Sequence, residues 1–175
     1  SGLFKQLDAL IGDRFHKVAG RSLSRNTNFG REIEQRLKYE RALVQPWVAF
    51  GSDSGAVVGE MRERGAHPRA YATFARVLAK YVRDEKLLTL EEAVRKMTSL
   101  PASRAGLKDR GLLRVGMKAD VVVFDPTKVQ DRSTYEDPHH FSEGVAHLLV
   151  NGTPVLRDGK MTGALPGRVL RSSHH

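Results

Sequence analysis

The sequence predicts an α/β chain, with helices around a buried strand in its middle and an antiparallel meander in its last third. Three observations carry this. The apolar run Trp47-Val48-Ala49-Phe50 ends in Gly51-Ser52-Asp53-Ser54-Gly55, the pattern of a buried strand opening into a polar loop. Tyr71, Phe74, Val77, Leu78 and Tyr81 mark one stripe of a helix over residues 69–83. Asn151-Gly152 joins the apolar runs at 145–150 and 154–157, a strong hairpin signal because both turn residues tolerate positive φ.

The remaining elements follow in chain order. Leu3, Phe4, Leu7, Leu10 and Ile11 recur at helical spacing, residues 20–30 form a polar loop, and a second helical pattern covers 32–43 until Pro46 breaks it. Residues 57–68 are a mixed-charge loop ahead of the 69–83 helix. Thr89 with Glu92 forms a capping-box pattern for a helix at 90–98, and residues 101–106 add a turn of helix that ends at Gly106. After Gly106 the pattern changes to strands: the Val-rich run 119–124, the hairpin, and a further turn at Asp158-Gly159.

Composition bounds the chemistry. With 175 residues the chain is too short for a complete (β/α)8 barrel, which needs about 250. It has no cysteine, which excludes disulfides, thiolate metal sites and thiol nucleophiles. No apolar run approaches the ~18–20 residues of a membrane span. No apolar segment follows Ser1-Gly2, so no secretory leader is expected there, and the chain is expected to be cytoplasmic. The formal charge of +9 is spread over the whole length, and the aromatic content is only 7%. No basic tail or stacking platform is formed, so nucleic acid is not an expected partner. Ser172-Ser173-His174-His175 is read as a tag remnant without function.

Two side chains stand out. Asp53, at the end of the expected strand, sits where α/β proteins bind ligands, and a carboxylate there can orient a substrate or move a proton. It can equally start a turn or cap a helix. Arg69 can clamp a carboxylate through its planar fork, or be ordinary surface charge. His67 precedes a proline in a loop. His139 and His140 are adjacent, which does not suit one metal, and His147 alternates with apolar residues in a strand. No His-x-His or His-x-x-x-His pair is present for zinc, and the 51–55 loop has no lysine in the phosphate-loop position.

The ordered motifs resemble a known family. Gly111-Leu112-Leu113-Arg114-Val115-Gly116-Met117-Lys118-Ala119-Asp120-Val121-Val122-Val123-Phe124-Asp125, followed by Val150-Asn151-Gly152-Thr153-Pro154-Val155, resembles the return of amidohydrolase-superfamily chains into their small β domain. The run from Pro46 to Asp53 and His67-Pro68-Arg69-Ala70-Tyr71-Ala72-Thr73-Phe74 are similar to N-acyl-D-amino-acid deacylases (D-aminoacylases). So are Lys96-Met97-Thr98-Ser99-Leu100-Pro101-Ala102 and the closing Thr162-Gly163-Ala164-Leu165-Pro166-Gly167-Arg168-Val169-Leu170.

The resemblance implies the C-terminal part of a metal-dependent-hydrolase (β/α)8 barrel, its last βα unit and helices, followed by strands of a small β-sandwich domain. Residues 1–40 remain unassigned and partly helical, 41–107 would be barrel, and 108–171 the β domain. It implies a zinc enzyme in which metal-bound hydroxide attacks the amide carbonyl of an N-acyl-D-amino acid. Asp53 would accept the water's proton and pass it to the leaving amine, and Arg69 would lie by the substrate carboxylate. The family's metal ligands, an early His-x-His, a cysteine and later histidines, fall outside the matched part. The isolated chain is therefore expected to be inactive and to associate with a complementary upstream chain or with itself. The rival expectations are a non-catalytic binding or scaffold module and a basic nucleic-acid binder. Elemental analysis of the tag-free chain, purified from zinc-supplemented medium, should find close to no zinc per chain. A value near one would point to a site built from His16, His67, His139, His140 or His147 with a carboxylate.

Overall fold

The computed structural model describes residues 28–55 and 67–171. The expected opening helix, the polar loop before residue 28, residues 56–66 and the last four residues lie outside the described residues. The chain divides into two compact units, Ser1–Val48 and Ala49–His175, each described by itself below.

In the first unit, helix α1 (Asn28–Leu43) contains the expected helical stretch and starts four residues earlier. Arg36 Nε donates to Glu40 Oε1 one turn later at 2.9 Å, and Glu40 is buried. A turn then follows, closed by the Val48 N–H on the Gln45 carbonyl at 3.1 Å. This corrects the expectation of a buried strand at residues 47–50. That stretch is not a strand, and Trp47 is 61% exposed. A strand of this kind requires a ladder partner, and among the described residues no strand pairs with this run. Phe50 instead gives its N–H to the Lys96 carbonyl at 3.1 Å.

Among the described residues of the second unit the first helix is α2 (Arg69–Arg76), which continues into a π-helical stretch, Val77–Asp84, closed by Glu85 N–H on the Lys80 carbonyl at 2.8 Å. The buried face of this rod is its small-residue one. Ala72, Ala75, Val77 and Ala79 are buried, whereas Phe74 from the expected stripe is 45% exposed. Helix α3 (Leu90–Met97) starts as its capping residue requires. Thr89 is extended and its hydroxyl accepts the Glu92 N–H at 3.2 Å. The Glu92 carboxylate turns forward to take the Arg95 guanidinium in a fork, both bonds at 2.8 Å. Helix α4 (Ser99–Arg104) ends in a Schellman arrangement: Gly106, at φ +70°, bonds the Ser103 carbonyl at 3.2 Å, and Leu107 bonds that of Ala102 at 2.9 Å.

Strands β1 (Val121–Phe124), β2 (Val145–Val150), β3 (Thr153–Arg157) and β4 (Lys160–Met161) pair antiparallel in sequence order, the expected meander. Both tight turns have positive φ at each central residue, Asn151 (+49°) with Gly152 (+79°) and Asp158 (+50°) with Gly159 (+73°). That matches the right-handed twist of the strands they join. The first turn is anchored to the chain entering β1. Asp120 accepts the Asn151 N–H at 2.8 Å, and Arg110 bonds both the Asp120 carboxylate and Asn151 Oδ1. Asn151 Nδ2 reaches the Pro166 carbonyl at 2.8 Å.

Between β1 and β2 an irregular strap, residues 125–144, crosses to the helices. Val129 in it is 1% exposed. Its carbonyl and the Gln130 side chain take the Arg83 guanidinium at 2.6 and 2.7 Å, and Asp131 takes Arg76 at 2.8 Å. Gly144 closes the strap at φ +84°, where an added Cβ would lie 2.4 Å from the Val129 nitrogen.

Two outcomes follow for stability. Gly116, at φ +87° with open space around it, should tolerate alanine at about 1–2 kcal/mol, the left-handed penalty alone. Gly144→Ala should lose about 1–3 kcal/mol more, from overpacking against Val129, when both are compared by urea denaturation. The second outcome concerns acid. Burial works against the Asp120 carboxylate, but the Asn151 N–H and the Arg110 guanidinium outweigh it and hold its pKa below the usual range. Stability from this group is present above the unfolded carboxylate pKa of about 3.9 and is lost as pH falls through the lower folded value. Asp120→Asn should cost about 1.5–3 kcal/mol at neutral pH and make the acid limb of the stability curve shallower.

Candidate active site

The Asp53 loop and the start of α2 meet. Arg69 Nη2 lies 3.2 Å from Asp53 Oδ2, so the two side chains singled out in the sequence form an ion pair across sixteen residues of chain. The Asp53 side chain is 89% exposed and that of Arg69 46%, which leaves both open to a ligand.

Each end of the pair is positioned locally. Asp53 sits at φ +48°, a left-handed conformation that aspartate tolerates better than most residues. Gly51 and Gly55 on either side have open space where a Cβ would stand. Three residues before Asp53, the Phe50 main chain is bonded to the Lys96 carbonyl, and the Lys96 ammonium lies 5.8 Å from the centre of the Phe50 ring. Lys96 is fully buried, and that burial pulls its pKa below the ordinary lysine value, with Glu92 opposing.

At the other end Pro68 occupies the position before α2, where it offers no side-chain acceptor. His67 takes over. Its Nδ1 accepts the Arg69 N–H at 3.1 Å, and its carbonyl accepts the Ala70 N–H at 3.0 Å. Residues 133–142 fold against the same helix end. Tyr135 packs edge-on to His67 with ring centres 5.2 Å apart, and Tyr71 shares a hydrogen bond with His139 Nδ1 at 3.2 Å. Ser142 Oγ donates to the Tyr71 carbonyl at 2.9 Å.

The other histidines have local partners. His140 Nε2 lies 2.7 Å from Asp137 Oδ2, and His147 Nδ1 accepts the Asp158 N–H at 3.3 Å. His16 lies outside the described residues. Among the described residues no group of three or more His, Cys, Asp or Glu is placed to hold a metal ion. A cleft of about 410 Å³ between the π-helical stretch and residues 130–134 contains neither Asp53 nor Arg69. Its cations are committed to carboxylates: Arg76 to Asp131, Lys80 to Glu85 and Arg132 to Glu143. The Asp53–Arg69 pair is therefore the stronger candidate. Sequence reasoning missed His67 as a cap and Tyr71 and Ser142 as helix-to-loop contacts. The only signal was a histidine placed next to a proline at a helix start.

A profile of the amidohydrolase family matches residues 40–156. The chain belongs to the amidohydrolase family. An N-acyl-D-glutamate deacylase of Alcaligenes xylosoxydans xylosoxydans is 53% identical over 140 residues, covering 80% of this chain and 26% of the relative. A D-aminoacylase of the same organism is 46% identical over 127 residues, covering 73% and 26%. The chain thus spans about a quarter of the length of these curated relatives. A crystal structure of D-aminoacylase superposes with a TM-score of 0.69 at 41% identity, over 75% of this chain and 27% of that one. The Bordetella bronchiseptica N-acyl-D-glutamate deacylase, complexed with zinc and a phosphonate mimic of the tetrahedral intermediate, gives 0.62 at 41% identity, over 75% and 28%. The fold of this chain is accordingly of amidohydrolase type. Among the described residues no helix is long and apolar enough to cross a membrane.

Proposed function

We propose that this chain is the C-terminal portion of a zinc-dependent N-acyl-D-amino-acid deacylase, which hydrolyses the amide bond to give a D-amino acid and a carboxylate. The single observation that carries this reading is the Asp53–Arg69 pair, in a chain 44–53% identical to three deacylases over the matched part. In the complete enzyme residues 41–107 would supply the end of the (β/α)8 barrel, residues 47–50 becoming its last strand only when an upstream strand is there to pair with them, and residues 108–171 would be the end of the small β domain.

Asp53 is the proton-transfer group. Its carboxylate accepts a proton from the attacking water as the carbon–oxygen bond forms, then donates it to the amide nitrogen as the carbon–nitrogen bond breaks. One carboxylate does both because the steps are successive. Arg69 presents planar donors to the substrate's α-carboxylate, the geometry for which guanidinium is suited. The described residues do not by themselves provide a metal site, since Asp53 is a single carboxylate whose neighbour is a cation. In the complete enzyme zinc would supply Lewis-acid activation of the scissile carbonyl and of water, and its ligands would have to come from outside the described residues.

The exposed apolar side chains support a covering partner. Leu113, Val115, Leu165 and Val169 are each more than 80% exposed, and Val122 and Val123 on β1 about half exposed. β1 and β4 are both sheet edges, a template for further strands. The upstream portion would cover these surfaces, with self-association as the alternative in its absence.

Co-expression of this chain with the upstream portion should give hydrolysis of an N-acetyl-D-amino acid, where the chain alone gives none. In that assembly Asp53→Asn should lower kcat by at least about 10²-fold, the usual contribution of a positioned acid–base group. Arg69→Met should act mainly by raising KM. Hydrolysis that survives Asp53→Asn would remove the role given to Asp53.

A further inference from the structure

The first turn of α2 has an unusual start. The leading N–H groups of a helix have no partner within it and need acceptors from outside. Pro68, in the capping position, has helical φ and ψ and no side-chain acceptor. The Arg69 N–H is nevertheless satisfied, by the imidazole of His67 at 3.1 Å, and the Ala70 N–H by the His67 carbonyl at 3.0 Å. One residue thus holds the main chain of the first two helical positions, and the first of them carries the guanidinium that faces Asp53.

The imidazole is itself fixed. With Nδ1 accepting, the neutral ring carries its proton on Nε2. Tyr135 stands edge-on to the ring at 77°. The loop that carries Tyr135 is tied to the helix one turn further on by Tyr71 with His139 and by Ser142 with the Tyr71 carbonyl. The loop is stiffened internally: Ser133, buried, donates to the Pro138 carbonyl at 2.6 Å, and the Asp137 N–H reaches Thr134 Oγ1 at 3.0 Å. Rotation of the ring away from Arg69 would break the ring contact and leave a helix-start amide unpartnered.

We propose that His67 is a positioning residue: its Nδ1 caps α2 at Arg69 and so sets where the Arg69 guanidinium meets the substrate α-carboxylate, with Tyr135 keeping the ring in place. This rests on the carboxylate-binding role given to Arg69 above, and it assigns His67 no contact with substrate.

Two substitutions separate acceptor from ring. His67→Phe keeps a ring for Tyr135 and removes the acceptor. His67→Asn loses the ring and keeps an acceptor that reaches an amide two residues on, as asparagine does in its own turns. On the 175-residue chain, hydrogen exchange at the Arg69 amide should quicken about five- to tenfold in His67→Phe, the effect of one lost hydrogen bond, and stay near wild type in His67→Asn. Exchange that rises equally through α2 and α3, or that stays unchanged in His67→Phe, would overturn the proposal. In the assembly with the upstream portion, His67→Phe should raise KM several-fold for an N-acetyl-D-amino acid with kcat little changed. It should leave KM unaltered for the matching α-carboxamide, which offers no carboxylate to Arg69. An equal loss on both substrates would overturn the positioning role. If hydrolysis proved insensitive to Asp53→Asn or Arg69→Met, the functional reading would fail, while the exchange measurement would still decide whether His67 is the cap.

Discussion

The second unit depends on the Arg83 guanidinium. The strap between β1 and β2 has little ladder of its own, apart from a bridge between Gln130 and Glu143, yet it buries Val129 almost completely. Burial of irregular backbone leaves carbonyls that must find donors, or each costs about 1–3 kcal/mol. Arg83 supplies them, with one nitrogen on the Val129 carbonyl and another on the Gln130 side chain. A planar fork can do this from one position, and a lysine ammonium at the same place would not reproduce the geometry. Arg76 adds a second tie to Asp131, and burial, which opposes the charge, is outweighed there by the carboxylate, so its pKa rises. Sheet and helices are joined by these charged hydrogen bonds more than by a large apolar core, because the buried hydrophobic side chains here are mostly alanines.

That seam has consequences at its far end. The strap that is tied to Arg83 continues into the loop that touches Tyr71, so the helical rod is gripped near both of its ends. The π-helical stretch carries the Arg83 grip in its last turn. Arg76 and Arg83, seven residues apart on the rod, both bond the strap, while Ala72, Ala75 and Ala79 are buried. The small residues allow close approach. The position of Arg69 is thus set by the same connections that join the two halves of the unit.

The parts legible in the sequence are those with local chemistry. Thr89 and Glu92, Gly106, Asn151-Gly152 and Asp158-Gly159 each announce a cap or turn within four residues, and each stands where it was expected. The conformation of residues 47–50, expected to be a strand, was not legible in the same way. An apolar run states only that it needs burial, and what it pairs with is decided by distant chain. The helix stripe failed at Phe74, which lies in the regular α-helical part. The buried face is the neighbouring small-residue one that carries Ala72, Ala75 and Ala79, and an apolar stripe does not say which face the rest of the fold covers. Asp53 and Arg69 could be selected by residue type and by resemblance, but their approach to 3.2 Å is a tertiary fact. The roles of His67, Arg83 and Gly144 depend on partners up to seventy residues away or on a single backbone angle, and no periodicity encodes them.

The pair itself cannot be what organises the site. Two side chains exposed at 89% and 46% attract each other weakly, and ion pairs of this kind contribute about 0–1 kcal/mol. That is too little to fold a loop or fix a helix start. Their meeting has to be imposed from behind. On one side the buried Lys96 segment holds the Phe50 main chain, and on the other His67 and the loop at its back hold the Arg69 main chain. The arrangement suits a site that must accept a ligand: groups held from behind stay in place when their mutual contact is broken, whereas groups held only by each other would not. Under the proposed function a substrate carboxylate would take the guanidinium without the scaffold having to move, and the carboxylate of Asp53 would be left free of its cation when a proton is to be received.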